Sequence, residues 1–185
     1  MKNLFTLGLL VFLLWSSTLF GQAMPSASRA GDLQVGGGYT LAGSDYVPNK
    51  ISGYTFYSDF DFRNHFGVEA DFHQLKDPNS AVAERTYEIG GRYLRHYGSF
   101  TPYAKGLYGR GVLNFPNNDA NLGYNLFTGG AGVDFSVRPN ISIRADFEYQ
   151  RWLAGPGIHN GITPTLFTIG VAYHFGAERS GVGLK

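Results

Sequence analysis

The chain has 185 residues, 15 basic and 14 acidic side chains, no cysteine, 16% aromatics and 26 glycines. That near-neutral balance gives no electrostatic case for nucleic acid, and the lack of cysteine excludes a disulfide scaffold or a thiolate metal centre. The length suits one domain.

The N-terminus reads as an export signal. Met1-Lys2-Asn3 carries one positive charge, Leu4 to Phe20 is almost uninterruptedly apolar, and Gly21-Gln22-Ala23 supplies small residues where a signal peptidase cuts. Cleavage after Ala23 is expected, with an uncleaved anchor as the alternative. Beyond it no apolar run is long enough for a membrane helix, and helical periodicity is scarce.

The rest is a train of strands, recognised by alternation of apolar and polar residues at period two. The first, Asp32 to Ala42, sets Leu33, Val35, Tyr39 and Leu41 against Gln34 and Thr40. A polar loop, Gly43 to Asn49, follows. The second, Ile51 to Phe62, alternates Tyr54, Phe56, Phe60 and Phe62 with Thr55, Tyr57, Asp59 and Asp61. After a tight turn at Arg63-Asn64-His65, the third, Phe66 to Gln74, sets Phe66, Val68, Ala70 and Phe72 against Glu69, Asp71 and His73. Lys76 to Arg85 is a longer loop. The fourth, Thr86 to Leu94, puts Tyr87, Ile89 and Tyr93 opposite Glu88 and Arg92.

The fifth, Pro102 to Leu113, is the least regular. Lys105 and Arg110 have opposite parity, so both face inward only if a bulge intervenes. Asn114 to Gly123 reads as a loop. The sixth strand, Tyr124 to Phe135, has Phe127, Ala131, Val133 and Phe135 outside and Thr128 and Asp134 inside. The seventh, Ile141 to Trp152, alternates most sharply: Ile141, Ile143, Ala145, Phe147 and Tyr149 against Ser142, Arg144, Asp146, Glu148 and Gln150. Leu153 to Gly161 is the last long loop, and the eighth strand is Thr163 to Phe175.

Eight strands whose connections alternate long and short predict an all-β, eight-stranded antiparallel up-and-down transmembrane β-barrel. In hydrocarbon every backbone N–H and C=O must be paired within the protein, and a closed sheet does this without leaving an edge. The expected plan is a signal peptide (1–23), an N-terminal periplasmic segment (24–31), the barrel (32–175) and a flexible periplasmic tail (176–185). Girdle aromatics are expected at both ends of the strands: Phe60, Phe62, Phe66, Tyr93, Phe135 and Phe175 on the short-turn side, and Tyr54, Tyr87, Tyr149, Trp152 and Phe167 on the long-loop side. The competing reading is a soluble sandwich, with those rings in its core.

Parity assigns the charges. Glu69, Asp71, Glu88, Arg92, Asp134, Arg144, Asp146 and Glu148 all lie opposite the aromatics. An Arg or Lys facing lipid at mid-membrane costs about 2–4 kcal/mol, so these residues belong in an interior charge network. An eight-stranded barrel has room for side chains or one small ligand, so the network is expected to plug the lumen. Asp59 and Asp61, near a rim, are expected to be solvated.

The segments Asp32–Ala42 (DLQVGGGYTLA), Phe66–His73 (FGVEADFH), Pro102–Lys105 (PYAK), Arg138–Tyr149 (RPNISIRADFEY) and Ile169–Phe175 (IGVAYHF) carry a resemblance. In them the chain resembles the eight-stranded outer-membrane barrels related to the transmembrane domain of outer-membrane protein A and to small Ail/Lom-type barrels. The resemblance implies a cell outer-membrane protein of a Gram-negative bacterium, assembled by the barrel assembly machinery. That machinery reads a terminal aromatic anchor, here Phe175, although Gly176 to Lys185 follow it.

Motifs for chemistry are sparse. Gly36-Gly37-Gly38 and Gly129-Gly130-Ala131-Gly132 lie inside strands, where glycine allows curvature and close packing beside aromatics rather than phosphate binding. Of the histidines, His73 and His174 are expected in the polar interior, and no metal site and no cofactor are expected. A lipid A-modifying enzyme would need an outward Ser, His and acid, and His159 has no such partners nearby. The expected function is non-enzymatic: envelope integrity or surface interaction. The alternative is a narrow porin-like channel. Expected partners are outer-membrane lipids and lipopolysaccharide, the latter through Arg110 and Arg151, which have outward parity near the loop side. The barrel is expected to be a monomer.

Overall fold

The computed structural model describes residues 31–43, 50–63, 65–77, 82–115, 120–155 and 160–175. The expected signal peptide, nearly all of the N-terminal segment, the tail after Phe175 and His159 lie outside them. Eight strands follow one another: β1 Asp32–Gly43, β2 Ile51–Arg63, β3 Phe66–Lys76, β4 Ala83–Leu94, β5 Phe100–Phe115, β6 Ala120–Arg138, β7 Ile141–Trp152 and β8 Thr165–Phe175. Each pairs antiparallel with its chain neighbours, and β1 closes on β8 from Leu33↔Phe175 to Gly43↔Thr165. The sheet is therefore a closed barrel.

The short connections sit at one end. Tyr97 and Phe100 exchange both backbone hydrogen bonds (2.7 and 3.1 Å) across Gly98-Ser99. Gly98 has φ +61°, a conformation that side chains resist, so glycine is the residue this tight turn takes. Register shifts at Asp61/Arg63 and Ser136/Arg138 mark the other two turns at this end. They increase local twist where strands reverse.

The strands are longer than composition suggested. β5 has 16 residues and β6 has 19, running in register from Phe100↔Phe135 to Phe115↔Ala120. Much of the expected loop 114–123 is thus paired strand. Its Asn and Gly residues look loop-like in isolation, but cross-strand pairing satisfies their backbone groups and overrides propensity.

Side chains sort by face as period-two alternation requires. On the outer face Tyr54, Phe56, Ile89, Phe127, Phe147 and Ile169 are exposed. Rings pair across strands there, as in Phe72–Tyr87 (centroids 5.0 Å) and Tyr108–Phe127 (5.0 Å). An exposed apolar surface all round a barrel marks contact with lipid rather than water. Trp152, expected in the outer girdle, is instead 0% exposed. It shares parity with Gln150, so its ring points into the lumen, where it occupies the space that a Cβ on Gly111 would need.

Candidate functional site

The inner face is built in layers. At the short-turn end, two guanidinium groups are sandwiched between carboxylates and tyrosine rings. Arg144 contacts Asp134 through Nε and Nη2 (2.7 and 3.0 Å) and Asp59 through Nη2 (2.5 Å). Arg92 contacts Asp59 (2.5 Å), Asp134 (2.9 Å), Glu69 (3.5 Å) and Asp61 (3.6 Å). Each guanidinium also lies over a ring: Arg144 is 4.0 Å from the Tyr57 centroid and Arg92 is 4.3 Å from that of Tyr103. A planar fork that stacks and binds carboxylates at its edge is a property of Arg, not Lys.

Asp59 and Asp61 therefore differ from expectation. They are 0% and 8% exposed, not solvated. Gln34 Nε2 donates to the second oxygen of Asp61 (3.0 Å). Strand tilt brings these acids level with Arg92 and Arg144, which lie on strands distant in sequence.

The middle layer centres on Lys105. Its Nζ donates to Glu69 (2.7 Å), Asp71 (2.8 Å) and Glu148 (2.7 Å) and lies 2.7 Å from Asp146. Because β5 pairs with β4 and β6 without a register shift, Lys105 points inward and Arg110 outward, and no bulge is needed. Tyr103, on the same inward face, donates to Asp146 (2.7 Å).

The layer toward the long loops is less charged. Glu88 accepts from Gln150 (2.8 Å) and from Thr128, and Trp152 Nε1 donates to Gln150 (2.9 Å). Thr40 is hydrogen-bonded to Thr55 and to Thr168 (2.7 Å), and Thr55 to His73 Nδ1 (2.7 Å). Above it lie two buried apolar clusters: Leu113, Tyr124, Leu126, Trp152 and Ile162, and Ala42, Ile51, Leu75 and Leu166. These form a mainly apolar lid, with the buried Glu84 paired in register with Leu75 and Leu113.

The structure thus brings Glu69, Asp71, Glu88, Arg92, Asp134, Arg144, Asp146 and Glu148 together in the lumen, all buried. Parity alone did not supply Tyr57 and Tyr103 as platforms, or the lid. Inward glycines on the neighbouring strand are the signal that was available for the rings. A Cβ on Gly36 would overlap the Tyr57 ring, and one on Gly132 would come within 2.5 Å of the Tyr103 hydroxyl. His174, also inside, bridges Asp32 (2.7 Å) and Ser142 (2.9 Å). His73, expected without metal-site partners, has a ring nitrogen within 4.8 Å of carboxylate oxygens of Asp71 and Glu148.

Outside, Arg110 and Arg151 are exposed at the loop side and do not touch the lumen. Arg110 pairs in register with Asn125 and Arg151 with Phe127, so the two lie two strands apart on one outer face. Lys76 and Arg85 are exposed on neighbouring strands at the same end. Among the described residues no carboxylate is exposed. At the opposite end Phe175 is 37% exposed, its ring edge-on to Tyr173 (4.9 Å).

The family model for the outer membrane protein beta-barrel domain matches residues 12–175, most of the chain. The chain belongs to the outer-membrane β-barrel family. No curated protein matches this barrel significantly. Among solved structures, it is similar to Ail, the attachment invasion locus protein of Yersinia pestis, in complex with the heparin analogue sucrose octasulfate, at 18% identity over 78% of this chain and 99% of that one (TM-score 0.57). It is also similar to Neisserial surface protein A, at 16% identity over 78% and 96% (TM-score 0.60). A third is OprG of Pseudomonas aeruginosa, at 16% identity over 79% and 96% (TM-score 0.56). At these identities the likeness is one of fold. This outer-membrane barrel shares with them the closed antiparallel architecture.

Proposed function

We propose that this outer-membrane barrel is a non-enzymatic, monomeric envelope protein with a sealed lumen, working through its outer and loop-side surfaces in envelope integrity or surface interaction. The observation that carries the reading is the occlusion of the inner face. Arg92, Lys105 and Arg144 tie inward carboxylates from several strands together, and buried, mainly apolar side chains fill the interior toward the loop side. A solute path would require breaking charge-assisted bonds held in a low-dielectric space. β1 and β8 pair with each other, which supports a barrel complete as a monomer. The narrow-pore alternative is tested by single-channel recording in a planar bilayer. A sealed lumen gives no stable conductance step, whereas reproducible open levels would establish the pore.

On the outer surface, Arg110 and Arg151 are proposed to contact lipopolysaccharide phosphates. Among the described residues the exposed charges at the loop-side rim are basic, which supports this, since Arg binds phosphate oxygens in bidentate fashion. That Ail has been solved with a polysulfated sugar fits the same chemistry of anion contact. In the Arg110→Ala/Arg151→Ala variant, retention of lipopolysaccharide through detergent extraction should fall while the barrel stays folded. Retention equal to that of wild type would remove the assignment.

A further inference from the structure

Two observations meet inside the lumen. The first is a charge imbalance: among the described residues ten buried carboxylates share the interior with three buried cations, Arg92, Lys105 and Arg144. The second is a set of ligand atoms beside Lys105 that make no hydrogen bond. His73 Nε2, Asp71 Oδ1 and Glu148 Oε2 are fully buried and make no hydrogen bond. His73 Nε2 nonetheless lies 3.3 Å from Glu148 Oε2, and ligand atoms of all three residues fall within 4.8 Å of one another.

The surrounding bonds engage the other polar atoms of the same three residues. Thr55 engages His73 Nδ1 (2.7 Å), fixing the ring so that Nε2 faces Glu148. This is the outer-shell arrangement that orients metal-binding imidazoles. Lys105 occupies the other oxygens, Asp71 Oδ2 (2.8 Å) and Glu148 Oε1 (2.7 Å), leaving Oδ1 and Oε2 without a hydrogen bond. His174 provides the contrast, because both of its nitrogens have partners.

We propose that Asp71, His73 and Glu148 bind one divalent transition-metal ion inside the barrel. One imidazole and two carboxylates form a mixed nitrogen and oxygen set suited to Zn²⁺ and its first-row neighbours rather than to Ca²⁺ or Mg²⁺, which prefer all-oxygen sites. The ion offsets part of the carboxylate excess. It also straps β3, which carries Asp71 and His73, to β7, which carries Glu148. These strands lie diametrically opposite in the closed order, so the ion ties the two walls together. This proposal stands whether or not the lumen conducts.

The test uses the full chain, purified without an affinity tag in detergent, stripped with chelator and titrated with Zn²⁺ against a fluorescent chelator. Co²⁺ absorption serves as a second probe of the ligand set. The expected result is equimolar binding, a visible Co²⁺ band from a site of low coordination number, and a higher temperature for loss of the folded electrophoretic form with Zn²⁺ than with chelator. His73→Gln and Glu148→Gln should each weaken binding by at least about tenfold, the scale at which loss of even an outer-shell partner is felt. If one of them fails to fold, the other decides. His65→Ala/His96→Ala, which removes two exposed imidazoles, should leave binding unchanged. Absence of equimolar binding in the wild type, binding undiminished in the folded lumen variant, or loss of binding in the His65/His96 variant would overturn the proposal.

Discussion

Arg144 shows how much one inward side chain does here. It is 1% exposed, bridges Asp134 on β6 to Asp59 on β2, and stacks on Tyr57. Removing one member of a buried pair leaves its partners charged and uncompensated, at a cost of about 3–5 kcal/mol. Arg144→Met is therefore expected to lower the urea midpoint of folding into vesicles by a corresponding amount. A midpoint within error of wild type would show that the carboxylates around it are not held as ions. Parity made Arg144 legible as inward, because an alternating strand leaves a charged residue only two faces to choose from. Its partnership with Asp59 was not legible, since 85 residues separate the two and only closure of the sheet brings them level. Trp152 failed for a different reason. A ring at a strand end resembles a girdle residue, and only its shared parity with Gln150 places it inside.

At the scale of elements, the outer face of each strand is its membrane contact. Ile89 lies in the middle of β4, pairs with Ala70 and Tyr108, and is 64% exposed. Ile89→Arg should cost about 2–4 kcal/mol in the same folding titration, the price of a cation facing hydrocarbon at mid-depth. Equal stability of variant and parent would mean that β4 does not face lipid. Strand existence and facing were legible because Tyr, Phe, Val and Ile recur at period two through β2, β3, β7 and β8. The ends of β5 and β6 were not, because their Asn and Gly residues carry loop propensity that pairing from Gly111↔Tyr124 to Phe115↔Ala120 overrides. Leu122, inside that extension, packs against the cluster of Leu113, Tyr124, Leu126, Trp152 and Ile162, so this contact was hidden along with it.

Across the whole molecule, charge is sorted by surface. Among the described residues most acids turn inward, most aromatics turn outward, and exposed cations remain at the rims. β8 closes the sheet on β1, leaving Phe175 opposite Leu33 at the short-turn end. Such a fold is expected to stay closed in mild detergent and to open only on heating, when the full set of ladder hydrogen bonds gives way together. Membrane-extracted protein run on a detergent gel with and without boiling reads this directly. The compact unheated barrel should migrate faster than the boiled chain, and identical migration of intact, membrane-derived protein under both conditions would contradict a closed transmembrane barrel.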